Sequence, residues 1–190
     1  MPRRLIVLAI LVMALAGCAK TTEVNTPSAG GATTTTTAAG ASGKAATTTT
    51  KPVAHTGSTL TLSTVDGQTY SVALKQVIDP AQGSDQFTTP DPGKRFVATL
   101  FTVTNTGTKA LSGDANNDAS VIGSDNQSYS ADFNNVAECT NFNSGSVQLG
   151  AGESVTGCVV FQVPTGVTVA KVQWAPSSGL ANDFGEWLNP

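Results

Sequence analysis

The stretch Arg95-Phe96-Val97-Ala98-Thr99-Leu100-Phe101-Thr102-Val103-Thr104-Asn105 decides the fold class. β-Branched and aromatic residues dominate it, which favours an extended chain. Phe96, Ala98 and Leu100 fall on one side, and Val97, Phe101 and Val103 on the other. A strand apolar on both faces is central and covered twice. Thr106-Gly107 ends it.

Upstream, Leu60 and Leu62 alternate with Thr59 and Thr61. Asp66-Gly67 follows as a hairpin turn signal. Tyr70, Val72 and Leu74 then alternate with Ser71, Ala73 and Lys75, as in a half-buried strand. Pro80 to Lys94 holds three prolines and two glycines and is expected to be a loop. Downstream, Ala119–Ile122 and Gln127–Ala131 flank a turn at Ser124-Asp125-Asn126. Gly150-Ala151-Gly152-Glu153 is a further turn. Ser154–Val163, stopped by Pro164, and Val169–Trp174, stopped by Pro176, complete the strands. No segment shows a helical period. About seven to nine short strands at this spacing predict an all-β, antiparallel two-sheet immunoglobulin-like β-sandwich over residues 57–190. Roughly 130 residues suffice for one core.

The start of the chain is of another kind. Arg3-Arg4, an apolar run from Leu5 to Ala16, and Leu15-Ala16-Gly17-Cys18 form a basic, greasy, small-residue succession. This succession reads as a secretory signal over residues 1–17. It is too short for the roughly 20 residues of a spanning helix. It resembles the signal of bacterial lipoproteins. The resemblance implies cleavage before Cys18 and a diacylglyceryl group on its sulfur. A lipid there makes the membrane a partner and puts the mature chain on its extracytoplasmic face.

Residues 18–56 are Thr, Ala, Gly, Ser and Pro with almost nothing to bury. They are expected to form a disordered tether. Extended, it would reach on the order of 100 Å. The tract resembles the tails of actinobacterial lipoproteins, in which such runs carry sugars; a bare spacer is the alternative. With Cys18 assigned to lipid, Cys139 and Cys158 remain, and outside the cytoplasm such a pair is expected to be a disulfide. In the strand Ser154–Val163, Cys158 and Val160 point away from Val155, Val159, Phe161 and Val163. The bridge is therefore expected to pin the Asp132–Ser146 loop on the outside of a sheet.

Charge narrows the partners. After cleavage, eight Lys and Arg face thirteen Asp and Glu, a net charge of −5. The balance is +2 in the tether and −7 beyond it. An acidic chain without a basic cluster is a poor match for nucleic acid.

Five pieces in order resemble one family: Gly93-Lys94-Arg95-Phe96-Val97, Val103-Thr104-Asn105-Thr106-Gly107, Tyr129, Leu149-Gly150-Ala151-Gly152-Glu153, and Val159-Val160-Phe161-Gln162-Val163-Pro164. They are similar to an immunoglobulin-like domain of unknown function found in lipoproteins of Gram-positive bacteria and actinobacteria. That family carries a misleading label borrowed from telomeric-repeat-binding factors. The resemblance, over about Leu60–Pro176, implies a sandwich at the cell surface. It brings no catalytic residues.

Catalytic constellations are missing from the pattern. The single histidine, His55, lies in the tether, so no triad has its base. No phosphate loop follows a strand, and no carboxylate spacing nominates a glycosidase pair. No metal site or cofactor is expected. The candidates that spacing offers are Asp114, Asn116 and Asp118, at positions 1, 3 and 5 of a calcium loop, with Asp125 at position 12. Ala119 stands where that loop needs glycine, and glutamate is missing at the end. Trp174 is expected in the core. Phe184, Trp187 and Leu188 either dock on the domain or form a contact surface. The expectation is a lipid-anchored, non-catalytic binding module for an extracytoplasmic protein or a small ligand. A structural or antigenic envelope component and a carboxylate-dependent hydrolase are the alternatives.

Overall fold

The computed structural model describes residues 53–189 together with Val24 and Asn25. The signal segment 1–17, Cys18 and most of the tether lie outside the described residues. The strands are β1 (Val24–Asn25), β2 (Ala54–His55), β3 (Thr59–Ser63), β4 (Thr69–Ala81), β5 (Lys94–Thr104) and β6 (Leu111–Asp114). A one-turn helix, α1 (Ala115–Asp118), leads into β7 (Ala119–Gly123), β8 (Ser128–Asp132), β9 (Ser146–Leu149), β10 (Ser154–Pro164), β11 (Val169–Trp174) and β12 (Gly185–Leu188).

Alternation builds the first layer. Leu60 and Leu62 in β3 and Tyr70, Val72 and Leu74 in β4 are buried, with their Thr and Ser neighbours half-exposed or exposed. The layer runs β1-β3-β4-β5-β10, and the second runs β7-β11-β12-β2. β8 joins them: it pairs with β7 through Ser128–Ser130 and with β10 through Ala131 and Asp132. A strand that switches sheets makes the corner of such a sandwich. β6 and β9 form a small separate sheet at one end.

The layers meet around three large rings. Phe101 of β5 packs edge-on against Trp174 of β11, with centroids 4.9 Å apart, and lies 5.9 Å from Trp187 of β12. Both indole N–H groups are satisfied. Trp174 Nε1 donates to the Tyr70 hydroxyl and Trp187 Nε1 to the Ser58 carbonyl, each at 3.0 Å. Buried aromatics with paired polar handles fix the layers laterally as well as closing the core. Trp174 is core, and Trp187 is docked rather than displayed; Phe184 keeps 46% of its surface exposed.

Four features depart from the sequence reading. β4 runs through Pro80 to Ala81, where a loop was expected; Pro80 sits at the register irregularity between Ile78 and Ala81, where a ladder tolerates a missing N–H. β6 and β9 were not anticipated, because Ser112, Gly113 and Asp114 give no strand pattern. β2 pairs with β12 in parallel, so the sandwich is not wholly antiparallel. The folded unit also starts before residue 57: Ala54 is buried, and β1 and β2 take four residues from the segment read as disordered tether.

Candidate functional site

β5 is covered twice. Val97, Phe101 and Val103 face the second layer, while Phe96 and Ala98 face outward and are buried all the same. Their cover is a second cluster formed with Ala81, Val136 and Val160, against which Ile78 and Cys139 pack. Val136 and Cys139 come from one connection, residues 133–145 after β8, which lies against another, residues 82–93 between β4 and β5.

These connections are laced together. Gly83 forms an antiparallel bridge with Val136. Ala137 N donates to the Gln82 carbonyl at 2.9 Å and Ser84 N to that of Asn135 at 3.1 Å. The Glu138 carboxylate accepts from Gln82 N at 2.9 Å. Below them, Asp132 accepts from Gln162 Nε2, and Gln162 Oε1 accepts from Asp91 N, each at 2.7 Å. Gly83 is required here, since a Cβ would run into the Thr88 carbonyl.

The disulfide fastens the second connection. Cys139 and Cys158 are bonded, with Cα atoms 6.2 Å apart. Beside the bridge the chain runs along the open edge of β10: Cys158 N donates to the Thr140 carbonyl at 2.9 Å and Phe142 N to that of Cys158 at 3.2 Å. The Phe142 ring then lies over Gly157, where a Cβ would come within 2.7 Å of it. The staple holds the connection on the outer face and spares the intersheet core.

Two aromatic rings project from this laced surface. Phe87 is 84% exposed and Phe133 82%. Both have fixed stems. The Asp85 carboxylate accepts from Phe87 N at 2.8 Å and Thr88 N at 2.9 Å. These bonds, led by that from Phe87, hold its carboxyl below the ordinary range. Asp132 accepts from Asn134 N at 2.8 Å, fixing the residue after Phe133. Both rings thus stand in water on backbone that hydrogen bonds hold in place. In the sequence both stand alone among polar residues, with no periodicity to mark them.

The four calcium candidates do not assemble into a loop. Asp114 caps α1, accepting from Asn116 N at 2.9 Å. Asp118 is buried and accepts from Ser178 N at 2.7 Å. Asp125 turns to the β7–β8 hairpin, accepting from the Tyr129 hydroxyl at 2.7 Å and from Gln127 N at 3.1 Å. The hydroxyl bond leads in holding its carboxyl low. Among the described residues no group of three or more His, Cys, Asp and Glu is placed to hold a metal ion.

Asp118 is the unusual group. Burial pushes its pKa up to about 6, against the pull of the Ser178 N–H and helped by the nearby Asp114 charge. Burial, with Asp118 next in weight, also pushes the Tyr70 hydroxyl up. The cleft beside them holds about 20 Å³, room for about one water. A wider hollow of about 360 Å³ lies between residues 66–69 and 106–109, open to solvent and lined by two turns and the first residue of β4. The first is too small for an organic ligand and the second is too open to enclose one.

The pieces that carried the family resemblance meet as structural ties. Arg95 donates to Asp79 Oδ2 at 2.8 Å and to the carbonyls of Pro164 at 2.6 Å and Val167 at 2.8 Å. Asn105 is fully buried. Its amide donates to the carbonyls of Lys109, Leu149 and Gly150 at 2.7, 3.1 and 3.0 Å, and its Oδ1 accepts from Gly107 N at 3.0 Å. Gly152 N donates in turn to the Asn105 carbonyl at 2.9 Å. A family model described as a domain of unknown function, DUF4352, matches residues 62–182.

The chain belongs to the DUF4352 family. No curated protein matches it. Among solved structures it resembles MPT63, a secreted protein of Mycobacterium tuberculosis, at 18% identity and a TM-score of 0.51, over 72% of this chain and 96% of that one. That likeness shows the sandwich fold. Two Bacillus subtilis proteins are also similar. A lipoprotein candidate, ycdA, shares 19% identity over 65% of this chain, with a TM-score of 0.45. The yjhA protein shares 14% over 64%, with a TM-score of 0.44, and 91% of its chain is covered. This DUF4352 chain spans about a third, 34%, of the ycdA chain's length.

Among the described residues no helix is long and apolar enough to cross a membrane. The family description names no activity.

Proposed function

We propose that this DUF4352 protein is a lipid-anchored interaction module of the extracytoplasmic face, non-catalytic, of the actinobacterial lipoprotein type. Its contact surface is the pair of laced connections that display Phe87 and Phe133. The observation that carries this reading is the contrast between those rings and their stems: each ring is more than 80% exposed, yet the backbone beneath is held by hydrogen bonds and a disulfide. An ordered exposed aromatic suits a macromolecular partner, whose apolar surface it would cover. Of the two clefts described among these residues, one is water-sized and one shallow and polar, so neither competes with the exposed rings as a contact. The lipid belongs to Cys18, and the Cys139–Cys158 bridge suits an oxidising compartment.

The test compares the wild-type chain with F87A/F133A in photo-crosslinking to isolated cell envelope. The reading expects a discrete crosslinked partner with the wild type and its loss in the double variant at unchanged melting temperature. Identical crosslinks in both would sink it. Incorporation of labelled palmitate, abolished by C18A, tests the anchor separately.

A further inference from the structure

β3 is the outermost long strand of its layer, and one of its edges faces away from β4. Ser63 N donates to Asp183 Oδ2 at 3.1 Å, so this N–H points off the sheet. Strand geometry repeats every two residues, so the N–H and C=O groups of Thr61 and Thr59 point the same way. Such an edge is a template for one more strand. Val24 and Asn25 take it: β1 lies antiparallel to β3, with Val24 opposite Leu60 and Asn25 opposite Thr59. The sequence explains the choice. Val24 is the single aliphatic β-branched residue between Cys18 and Pro52. Pro27 follows two residues after Asn25 and, lacking an N–H, cannot extend the ladder.

We propose that β1 is a membrane-proximal latch, by which the lipid-bearing end of the tether docks on the β3 edge of its own domain. The proposal rests on the reading of Cys18 as lipidated. Docked, only Ala19–Glu23 separate lipid from sheet, so Cys18 and Val24 are about 20 Å apart at most. Undocked, the leash runs from Cys18 to Val53 and spans more than about 100 Å when extended. The same chain thus has two working heights, and β1 selects between them. The occupant is the chain's own tail. A segment tied to its site acts at an effective concentration on the order of millimolar, far above that of a second copy at micromolar protein.

The test is oxidative crosslinking of the full mature chain carrying N25C/T59C. Its control is N25C/T156C, where Thr156 lies on β10, beyond β4 and β5. The latch expects several-fold more closure in the first pair, within one chain. Equal closure in the two pairs, or closure only between two chains, overturns it. On vesicles with a quencher in the bilayer, a dye on the domain should be quenched more in the crosslinked chain than in N25C alone. Palmitate labelling separates the failures. Unlabelled protein that still crosslinks defeats the anchor and not the docking; labelled protein that does not crosslink defeats the latch.

Discussion

Replacing Asp118 by asparagine should stabilise the protein at neutral pH, and the gain should disappear in acid. The carboxylate has 5% of its surface exposed, and among the described residues it forms no ion pair. Its hydrogen-bond donor among the described residues is Ser178 N, at 2.7 Å. One N–H does not replace the water a charged carboxylate loses, so the neutral form is favoured and the pKa rises from 3.8 to about 6. At about 1.36 kcal/mol per pKa unit, the shift corresponds to about 3 kcal/mol. Because the folded pKa lies above the unfolded one, this stability is fully present below pH 3.8 and is lost as pH rises through 6.

Asparagine keeps an oxygen for Ser178 N and carries no charge at any pH. Urea unfolding can be followed through the buried indoles of Trp174 and Trp187. The difference in unfolding free energy between D118N and wild type should grow by about 2.5 kcal/mol between about pH 4 and pH 8. Titrating groups that do not feel the Asp118 charge cancel in that difference; Asp114, which does, adds a smaller change of the same origin. Any fixed cost of the new amide adds a constant and leaves the slope alone. A difference that stays flat with pH, or falls as pH rises, would refute the assignment of burial as the dominant cause.

Removing the staple with C139S/C158S should cost about 3 kcal/mol in urea unfolding, from the released loop, and should open the segment after Phe133 to proteases. Asn105→Ala strips three carbonyls and one N–H of their partner and should cost at least about 2 kcal/mol by thermal or urea unfolding. Phe101→Ala leaves a hole between the two indoles; it should cost about 3–5 kcal/mol and shift tryptophan emission.

The central strands were legible because each carries its own burial signal. The two-sided apolar run of β5, the Leu60/Leu62 alternation of β3 and the parity of β10 all follow from a two-residue repeat that needs no partner to be seen. That parity also separates Cys158 and Val160 from the Phe161 face. Strands that exist only because a partner supplies their ladder were not legible. β6 pairs across to β9 while its sequence, Leu111-Ser112-Gly113-Asp114, reads as a turn. The end of β4 at Asp79-Pro80-Ala81 reads as a break. The same holds for the site. Ala81, Val136 and Val160 are far apart in the chain, and each looks incidental. Only the fold brings them under one cover and turns Phe87 and Phe133 into neighbours of a common lacing. Of the residues that the calcium spacing groups, Asp114, Asp118 and Asp125 each accept from an N–H or hydroxyl of the chain, which the spacing alone does not reveal.

The residues that carried the family resemblance are ties. Arg95 clamps the ends of β4 and β10, while Asn105 joins the turns around Gly107 and Gly150. Phe87 and Phe133 are outside those motifs, on the connections between them. A scaffold whose recognisable residues are spent on holding turns puts its recognition in the loops between them. Stability and contact should therefore separate cleanly on mutation. F87A/F133A removes two rings that are 84% and 82% exposed and should change unfolding free energy by no more than about 0.5 kcal/mol. N105A touches no exposed surface and should cost several times that. If instead the double phenylalanine variant unfolds as readily as N105A, the rings are packing against the domain in solution. The contact surface would then lie elsewhere.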